Sequence, residues 1–189
     1  MTNKKQTAVL DALLIGAKLL LICAIVAGLV SLIFQLTKDA YANNLQKTKD
    51  EAVAAIFGIE GLTSEDFSSN ADAVVYRVYD ANGDFYGYCV EAAGKGFGGD
   101  IGLMVGYNQN CEILGARVVS HSETPGLGAK VNDDSFLGQY KGKTGTVTLG
   151  EDVDAIVGAT VSSKAVTAGI NLATDALESA LAENGGAGQ

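Results

Sequence analysis

An apolar run near the N-terminus restricts the fold more than any other feature of this chain. From Leu13 to Leu36 the sequence reads LLIGAKLLLICAIVAGLVSLIFQL, and Lys18 is its only charged residue. As a helix this run extends roughly 36 Å, which exceeds the ~30 Å of bilayer hydrocarbon. Lys18 lies near one end, where its side chain can reach the headgroups. The run therefore predicts a single transmembrane helix over 13–36, preceded by a stub over 1–12.

A cleaved signal peptide is the alternative interpretation of the same segment. Lys4 and Lys5 supply a positive start, and Ala40-Tyr41-Ala42 is an A-x-A sequence just past the run. Signal peptides usually carry an apolar core of only about 7–15 residues, so the longer run favours an uncleaved anchor. The short basic stub is expected to stay in the cytoplasm. The rest of the chain would then lie outside the cytoplasm, on the inner or plasma membrane.

The remainder of the chain is acidic. Residues 39–189 contain 9 basic and 21 acidic residues, a net charge of −12. Such a surface disfavours nucleic acid as a partner. The chain has one histidine, which excludes a multi-histidine metal or haem site. Cys89 and Cys111 lack metal-binding or redox spacing; a disulfide between them is possible, and isolated structural thiols on strands are the favoured interpretation.

Alternating apolar residues and turn signals beyond the apolar run predict an α+β domain built on an antiparallel sheet. The predicted elements are a helix over 41–57 ending at Gly58, a polar loop over 64–70, strands over 74–79, 85–92, 101–108, 111–120 and 144–149, a glycine-rich connector over 94–100, and a helix over 162–181. The four central strands form two hairpins. The predicted organisation is a helical connector over 37–72, a domain with flanking helices over 73–183 and a disordered tail over 184–189.

One loop combines the only histidine and the only proline of the chain. It reads His121-Ser122-Glu123-Thr124-Pro125-Gly126-Leu127-Gly128. Proline fixes φ and glycine reaches conformations closed to other residues, so the loop has a defined shape that exposes backbone N–H groups. An ordinary tight turn with a surface histidine accounts for the same residues.

A second segment, DAIVGATVSSKAV, leads into the last predicted helix. Its small, hydroxyl and basic residues are Gly158, Ala159, Thr160, Ser162, Ser163 and Lys164. Free N–H groups and the helix dipole favour an anion such as phosphate at a helix start, and Lys164 is within one turn to balance its charge. Capping of the helix by Thr160 or Ser162 explains the hydroxyls without any ligand.

Both segments resemble hallmarks of one known domain. AIVGATVSS resembles the S/T-G-A-T flavinylation motif of the FMN-binding subunits in Rnf and Na+-translocating NADH:quinone oxidoreductase complexes. HSETPGLG resembles the second hallmark of the same domain. The two occur in the family's order behind a single N-terminal helix and cover essentially the whole chain. The compact length is closer to the G-type subunit of the Rnf complex.

This resemblance implies a site and its maturation. Thr160 would carry covalent FMN through a phosphoester, attached by a separate flavin transferase whose recognition motif begins at Asp154. Val157 stands where that motif usually has Ser or Thr. The other residues implied around FMN are Gly158, Ala159, Ser162, Ser163, Lys164, His121, Glu123, Thr124, Gly126 and Leu127. No residue is implied as a catalytic acid or base, and none as a metal ligand.

The resemblance also implies an electron-relay role. The partners would be the other membrane and peripheral subunits of a complex that couples ferredoxin and NAD+ to Na+ or H+ transport. Two related alternatives are a subunit of the Na+-translocating NADH:quinone oxidoreductase and a non-redox FMN-binding or assembly module. A hydrolase using Thr160 or a serine with His121 is a third, although the sequence contains neither a nucleophile elbow nor a recognisable third triad member.

Overall fold

The structure, a computed structural model, describes residues 2–59, 61–69 and 72–185. The chain divides into two compact units, Met1–Asn44 and Leu45–Gln189. A continuous helix, α1 (Thr2–Phe57), contains the predicted span. From Leu14 onward α1 includes a stretch long and apolar enough to cross a membrane, and the side chains over 14–36 are exposed.

The C-terminal end of α1 belongs to the second unit and packs on its sheet. Ala52 and Phe57 are buried there together with Val78, Cys89 and Met104. A glycine with φ of 69° follows Phe57 and ends the helix in the left-handed conformation. The helix predicted over 41–57 is therefore the last part of α1.

Five antiparallel strands form one sheet in the order β1-β2-β3-β4-β5. They are β1 (Thr63–Ser69), β2 (Ala73–Tyr79), β3 (Phe85–Lys95), β4 (Asp100–Tyr107) and β5 (Ile113–Ser120). A single helical turn, α2 (Asp134–Leu137), lies between 3₁₀ turns at Gly128–Asn132 and Gly138–Tyr140, and α3 (Thr160–Gly185) completes the domain. The predicted α+β fold with an antiparallel sheet is confirmed. Strands β3 and β4 extend into the glycine-rich connector predicted over 94–100. Only residues 96–99 of it form a loop, which we call the β3–β4 loop.

Helix α3 packs closely against one face of the sheet. A Cβ at Gly94 would overlap the backbone of Ala165, and a Cβ at Gly169 would lie 2.6 Å from Leu103 Cδ1. Glycine is required at both positions because it alone has no side chain to intrude. This packing holds the start of α3 beside the end of β3, where the β3–β4 loop begins.

The prediction of a polar loop over 64–70 is wrong. Residues Thr63–Ser69 form the edge strand β1, which pairs with β2. Residue 70 lies outside the described residues. Most β1 side chains are exposed, so no apolar alternation marks the strand in the sequence. Phe67 packs inward beneath Arg77, whose guanidinium carbon lies 4.0 Å from the ring centroid. The acidic side chains of Glu65 and Asp66 on this edge also discourage pairing with another chain.

The segment predicted as a strand over 144–149 does not join the sheet. The backbone N–H and carbonyl of Val147 instead form hydrogen bonds with a side chain. The N–H of Val147 donates to Asn171 Oδ1 at 2.8 Å, and Asn171 Nδ2 donates to the Val147 carbonyl at 2.9 Å. Asn171 on α3 thus bonds as a neighbouring strand would. Leu149 forms only a single parallel bridge, with Val153.

Other predicted boundaries also differ from the structure. Helix α3 begins at Thr160, two residues before the predicted start, and extends to Gly185. The tail predicted over 184–189 therefore starts within α3, and its last four residues lie outside the described residues. The connector predicted over 37–72 is helical only to Phe57.

Both cysteines of the domain are free thiols. Cys89 is fully buried on β3, and burial raises its pKa to about 12. The sequence predicts Cys111 on a strand, but it lies in the β4–β5 turn, with φ of 61°.

Candidate functional site

The two segments that carry the sequence motifs meet at one cavity of about 410 Å³. We call it the Thr160 cavity. Three parts of the chain enclose it: the β3–β4 loop, the loop over 121–128, and the turn into α3 with its first residues. The lining residues are Phe97, Glu123, Thr124, Leu127, Gly128, Gly158, Ala159, Thr160, Val161 and Ser162.

The turn before α3 is closed by a serine. Ser163 Oγ accepts a hydrogen bond from the Ile156 N–H at 3.0 Å and donates to the Ala159 carbonyl at 3.0 Å. Gly158 adopts φ of 82°, which an L side chain would strain. Neither Thr160 nor Ser162 caps the helix. The side chain that stabilises the turn before it is that of Ser163.

Thr160 is the first residue of α3 and is exposed. Within the described residues its hydroxyl makes no hydrogen bond. The N–H of Ser163 donates to the Ala159 carbonyl at 2.9 Å, so the N–H groups of the three preceding residues stand at the open end of the helix. An anion attached to the Thr160 oxygen would face these N–H groups and the positive end of the helix dipole.

The loop over 121–128 folds around one carbonyl. The backbone oxygen of Thr124 accepts from the N–H groups of Leu127 and Ala129, each at 3.2 Å. Gly126 has φ of 77°, as this turn requires. This fold of the loop points Leu127 toward the turn before α3. Its Cδ2 lies 3.6 Å from the position that a Cβ on Gly158 would occupy.

Glu123 is a buried carboxylate with defined partners. Its Oε1 accepts from the Gly98 N–H at 2.8 Å, and its Oε2 accepts from Ser162 Oγ at 2.5 Å. Burial acts to raise the pKa of Glu123. The hydrogen bonds from Ser162 and Gly98, the nearby Phe97 N–H and His121 outweigh it and lower the pKa below its usual value. The carboxylate is therefore ionised at neutral pH.

Exposed apolar side chains lie in the lining of the cavity and, in the case of Val157, directly before the lining residue Gly158 in the chain. Phe97 is 77% exposed, Leu127 51%, Val157 96% and Val161 52%. Among the described residues from 45 to 185, the next most exposed large apolar side chain is that of Tyr86, at 39%. We call these four residues the apolar rim. A cluster of exposed apolar groups beside a cavity is typical of a ligand or partner site.

The predicted site residues fall into two groups. Those lining the Thr160 cavity are Gly158, Ala159, Thr160, Ser162, Glu123, Thr124 and Leu127. Those outside its lining are His121, Gly126, Ser163, Lys164 and Asp154. Lys164 is exposed on α3, and His121 Nδ1 accepts the Glu123 N–H at 3.2 Å. Asp154 is exposed and its N–H donates to Gln139 Oε1 at 2.9 Å.

Three residues of the lining, Phe97, Gly128 and Val161, were not among the predicted site residues, although Gly128 ends the 121–128 motif. Phe97 lies in GKGFGG, where an aromatic residue between glycines could have been noticed as a side chain with no strand or helix to bury it. Val161 carries no such signal, because an apolar residue in an amphipathic helix is expected to face the core.

Comparison with known proteins identifies a shared domain and relatives. Residues 96–175 match the family model of the FMN-binding domain. The G-type subunit of the ion-translocating oxidoreductase complex of Methanosarcina acetivorans is 33% identical over 168 residues, covering 83% of this chain and 89% of the relative. The G-type subunit of the proton-translocating ferredoxin:NAD(+) oxidoreductase complex of Clostridium ljungdahlii is 42% identical over 95 residues, covering 47% and 51%. The chain thus spans about half the length of the Clostridium relative.

A solved structure has a similar fold. The crystal structure of NqrC from Shewanella oneidensis aligns with a TM-score of 0.51 and 26% identity, covering 64% of this chain and 68% of that protein.

Proposed function

The chain belongs to the family of G-type subunits of ion-translocating oxidoreductase complexes, and from this premise we propose that it is a membrane-anchored flavoprotein that carries FMN on Thr160. The attachment is a phosphoester between the threonine oxygen and the FMN phosphate. Its role is to relay electrons within an Rnf-type complex that couples ferredoxin and NAD+ to Na+ or H+ transport.

The position of Thr160 carries this proposal. Its hydroxyl is exposed within a cavity, makes no hydrogen bond within the described residues, and stands at the open N–H end of a helix. These are the properties of an acceptor, since a hydroxyl that capped the helix would be both occupied and shielded. The helix dipole and N–H groups stabilise the negative charge that remains on a phosphodiester.

The apolar rim fits the other end of the cofactor. An isoalloxazine ring is a flat, largely apolar group, and Phe97, Leu127 and Val161 form walls around the same cavity. FMN supplies one- and two-electron chemistry when bound, and the protein supplies its attachment, orientation and surroundings. Gly158 leaves the backbone open to the phosphate, because it has no side chain over the approach.

The membrane anchor and the covalent bond together keep FMN at the membrane. The helix over 13–36 holds the domain at the membrane on the extracytoplasmic side, where unattached FMN would be lost by dilution. A separate flavin transferase makes the bond and recognises the exposed segment that begins at Asp154. Exposure of Asp154 outside the cavity suits recognition by another protein rather than contact with FMN. The redox partners are the other membrane and peripheral subunits of the complex.

A hydrolase is not supported by the same geometry. His121 does not line the cavity, and its Nδ1 is occupied by the Glu123 N–H. Within the described residues no base is hydrogen-bonded to the Thr160 hydroxyl.

Variants at two threonines test the proposal. Full-length protein is co-expressed with a flavin transferase, denatured, and examined for flavin fluorescence on a gel. We expect fluorescence in the wild type, its loss in Thr160→Val and partial retention in Thr160→Ser. Thr146→Val is the matched control, because Thr146 is an exposed threonine outside the lining of the Thr160 cavity and should leave the label intact. Label retained in Thr160→Val would refute the assignment.

A further inference from the structure

We propose that Glu123 is a positioning residue of the flavin site, whose carboxylate holds the β3–β4 loop against the start of α3 and so places Phe97 opposite Thr160. The inference rests on the proposed function, because it assigns Phe97 and Thr160 to two ends of one cofactor. It differs from the expectation that Glu123 contacts FMN directly.

Both carboxylate oxygens are already used. Oε1 bonds to the Gly98 N–H on the β3–β4 loop, and Oε2 bonds to the Ser162 hydroxyl on α3. The nearby Phe97 N–H also acts to lower the pKa of the carboxyl group. Glu123 is only 5% exposed. A group held in this way links two segments and has little capacity left for a ligand.

The surrounding backbone is shaped to the carboxylate. A Cβ on Gly96 would overlap Oε1 of Glu123, and a Cβ on Gly128 would overlap Oε2. A Cβ on Gly98 would overlap the Ser122 carbonyl. Three glycines therefore permit the loops to close on one side chain, which an incidental contact would not require.

The two arms of this link reach the two ends of the site. Gly98 directly follows Phe97, the most exposed wall of the lining, and Ser162 lies two residues after Thr160. The β3–β4 loop also has a hydrogen bond of its own, from the Gly96 N–H to the Gly99 carbonyl at 2.9 Å. That bond shapes the loop but does not tie it to α3. The distance between Phe97 and Thr160 therefore depends on Glu123 as well as on the packing of Gly94 against Ala165.

The sequence contains no tryptophan, so a tryptophan introduced by substitution is a specific fluorescent probe. Phe97→Trp places a single tryptophan on the β3–β4 loop, where the exposed position accepts the larger ring. In this background Glu123→Gln, Ser162→Ala and the double variant are prepared as full-length apoprotein in detergent. Glu183→Gln is the matched control, since it removes the same charge from an exposed position near the far end of α3.

Two measurements are made on the apoprotein. Tryptophan anisotropy should fall in Glu123→Gln and in Ser162→Ala and stay unchanged in Glu183→Gln. Amide exchange at Gly98 should rise about tenfold in Glu123→Gln, because the neutral amide oxygen of glutamine is a weaker acceptor than the carboxylate. Amides in the middle of β3 and β4 should not change, which separates loosening of the loop from loss of the fold.

A third measurement connects the link to the flavin. In flavinylated protein, iodide should quench flavin fluorescence more strongly in Glu123→Gln and Ser162→Ala than in wild type. The double variant should add little to Glu123→Gln alone, because both changes weaken the same link. Should Glu123→Gln fail to fold, Ser162→Ala alone gives the same readouts from the other arm.

The outcomes separate this inference from the proposed function. Unchanged anisotropy and Gly98 exchange in both variants would overturn the positioning role, whatever the flavin content. Equal flavin quenching in wild type and variants would overturn it as well. A wild-type chain that never acquires flavin would instead refute the proposed function, while the apoprotein measurements would still report on the link.

Discussion

Ser162 on α3 donates a hydrogen bond to Glu123, a residue 39 positions earlier in the chain. This bond joins the two motif-bearing segments beside the cavity that contains Thr160. It also explains why Ser162 does not cap its own helix, because its hydroxyl points to a carboxylate on another loop. The site is therefore held together by polar contacts between segments as well as by its apolar packing.

Domain stability should depend on the ionisation of Glu123. Its folded-state pKa is lowered, so its bonds stabilise the fold above the unfolded-state pKa and are lost as pH falls through the folded-state value. The excess stability of wild type over Glu123→Gln should be full at pH 7 and shrink below about pH 4.3, the ordinary glutamate value. Urea unfolding followed by tyrosine near-ultraviolet circular dichroism measures this. A difference that stays constant down to pH 3 would contradict it.

The turn before α3 should tolerate only glycine at position 158. Gly158→Ala forces an L residue into φ of 82°, which costs about 1–2 kcal/mol of folding free energy, and flavin attachment should fall with it. Gly138→Ala is the matched control, because Gly138 has φ of −63° and open space around its Cβ position. Thermal unfolding and flavin content of both variants test the difference. Equal behaviour of the two variants would show that the turn is not constrained as described.

The apolar rim should shield the bound flavin. Phe97→Ser and Val161→Ser remove exposed apolar walls without touching the buried core, so the fold should persist while iodide reaches the flavin more readily. Fluorescence quenching of flavinylated protein provides the measurement. Tyr86→Ser serves as control, since Tyr86 is an exposed aromatic residue outside the cavity lining. Quenching that increases as much in Tyr86→Ser would remove the rim's special role.

The membrane topology should place Met1 in the cytoplasm and the domain outside it. The span over 13–36 supports an anchor, and the basic stub with Lys4 and Lys5 supports its retention. Protease added to intact spheroplasts should digest the domain and leave a small membrane-bound fragment. Protection of the domain would reverse the orientation. A mature N-terminus at Asn43 would show a cleaved signal peptide instead.

Local patterns predicted the central strands and both terminal helices, because apolar alternation and helical spacing report on burial against one face. The same logic failed for β1, whose side chains are mostly exposed and so carry no alternation. It also failed for residues 144–149, where the strand-like pattern is real but the pairing partner is the Asn171 side chain. A partner 24 residues away cannot be read from local spacing.

The site was predictable in its two motifs and less so in its other walls. The resemblance named Thr160 and the loop over 121–128, and the structure brings both to one cavity. Phe97 belongs to the site only because of how the β3–β4 hairpin packs. The end of this hairpin lies beside the start of α3, and Gly94 allows that close packing. The link made by Glu123 was not foreseen either, since the fate of a carboxylate depends on which donors the fold places around it.

The mass of one proteolytic peptide tests the central claim most directly. Trypsin should release residues 144–164 between Lys143 and Lys164, a peptide that contains Thr160. In protein matured with a flavin transferase, this peptide should carry the mass of FMN less one water, and fragmentation should place it on Thr160. An unmodified peptide in yellow protein, or an adduct on a residue other than Thr160, would contradict the account.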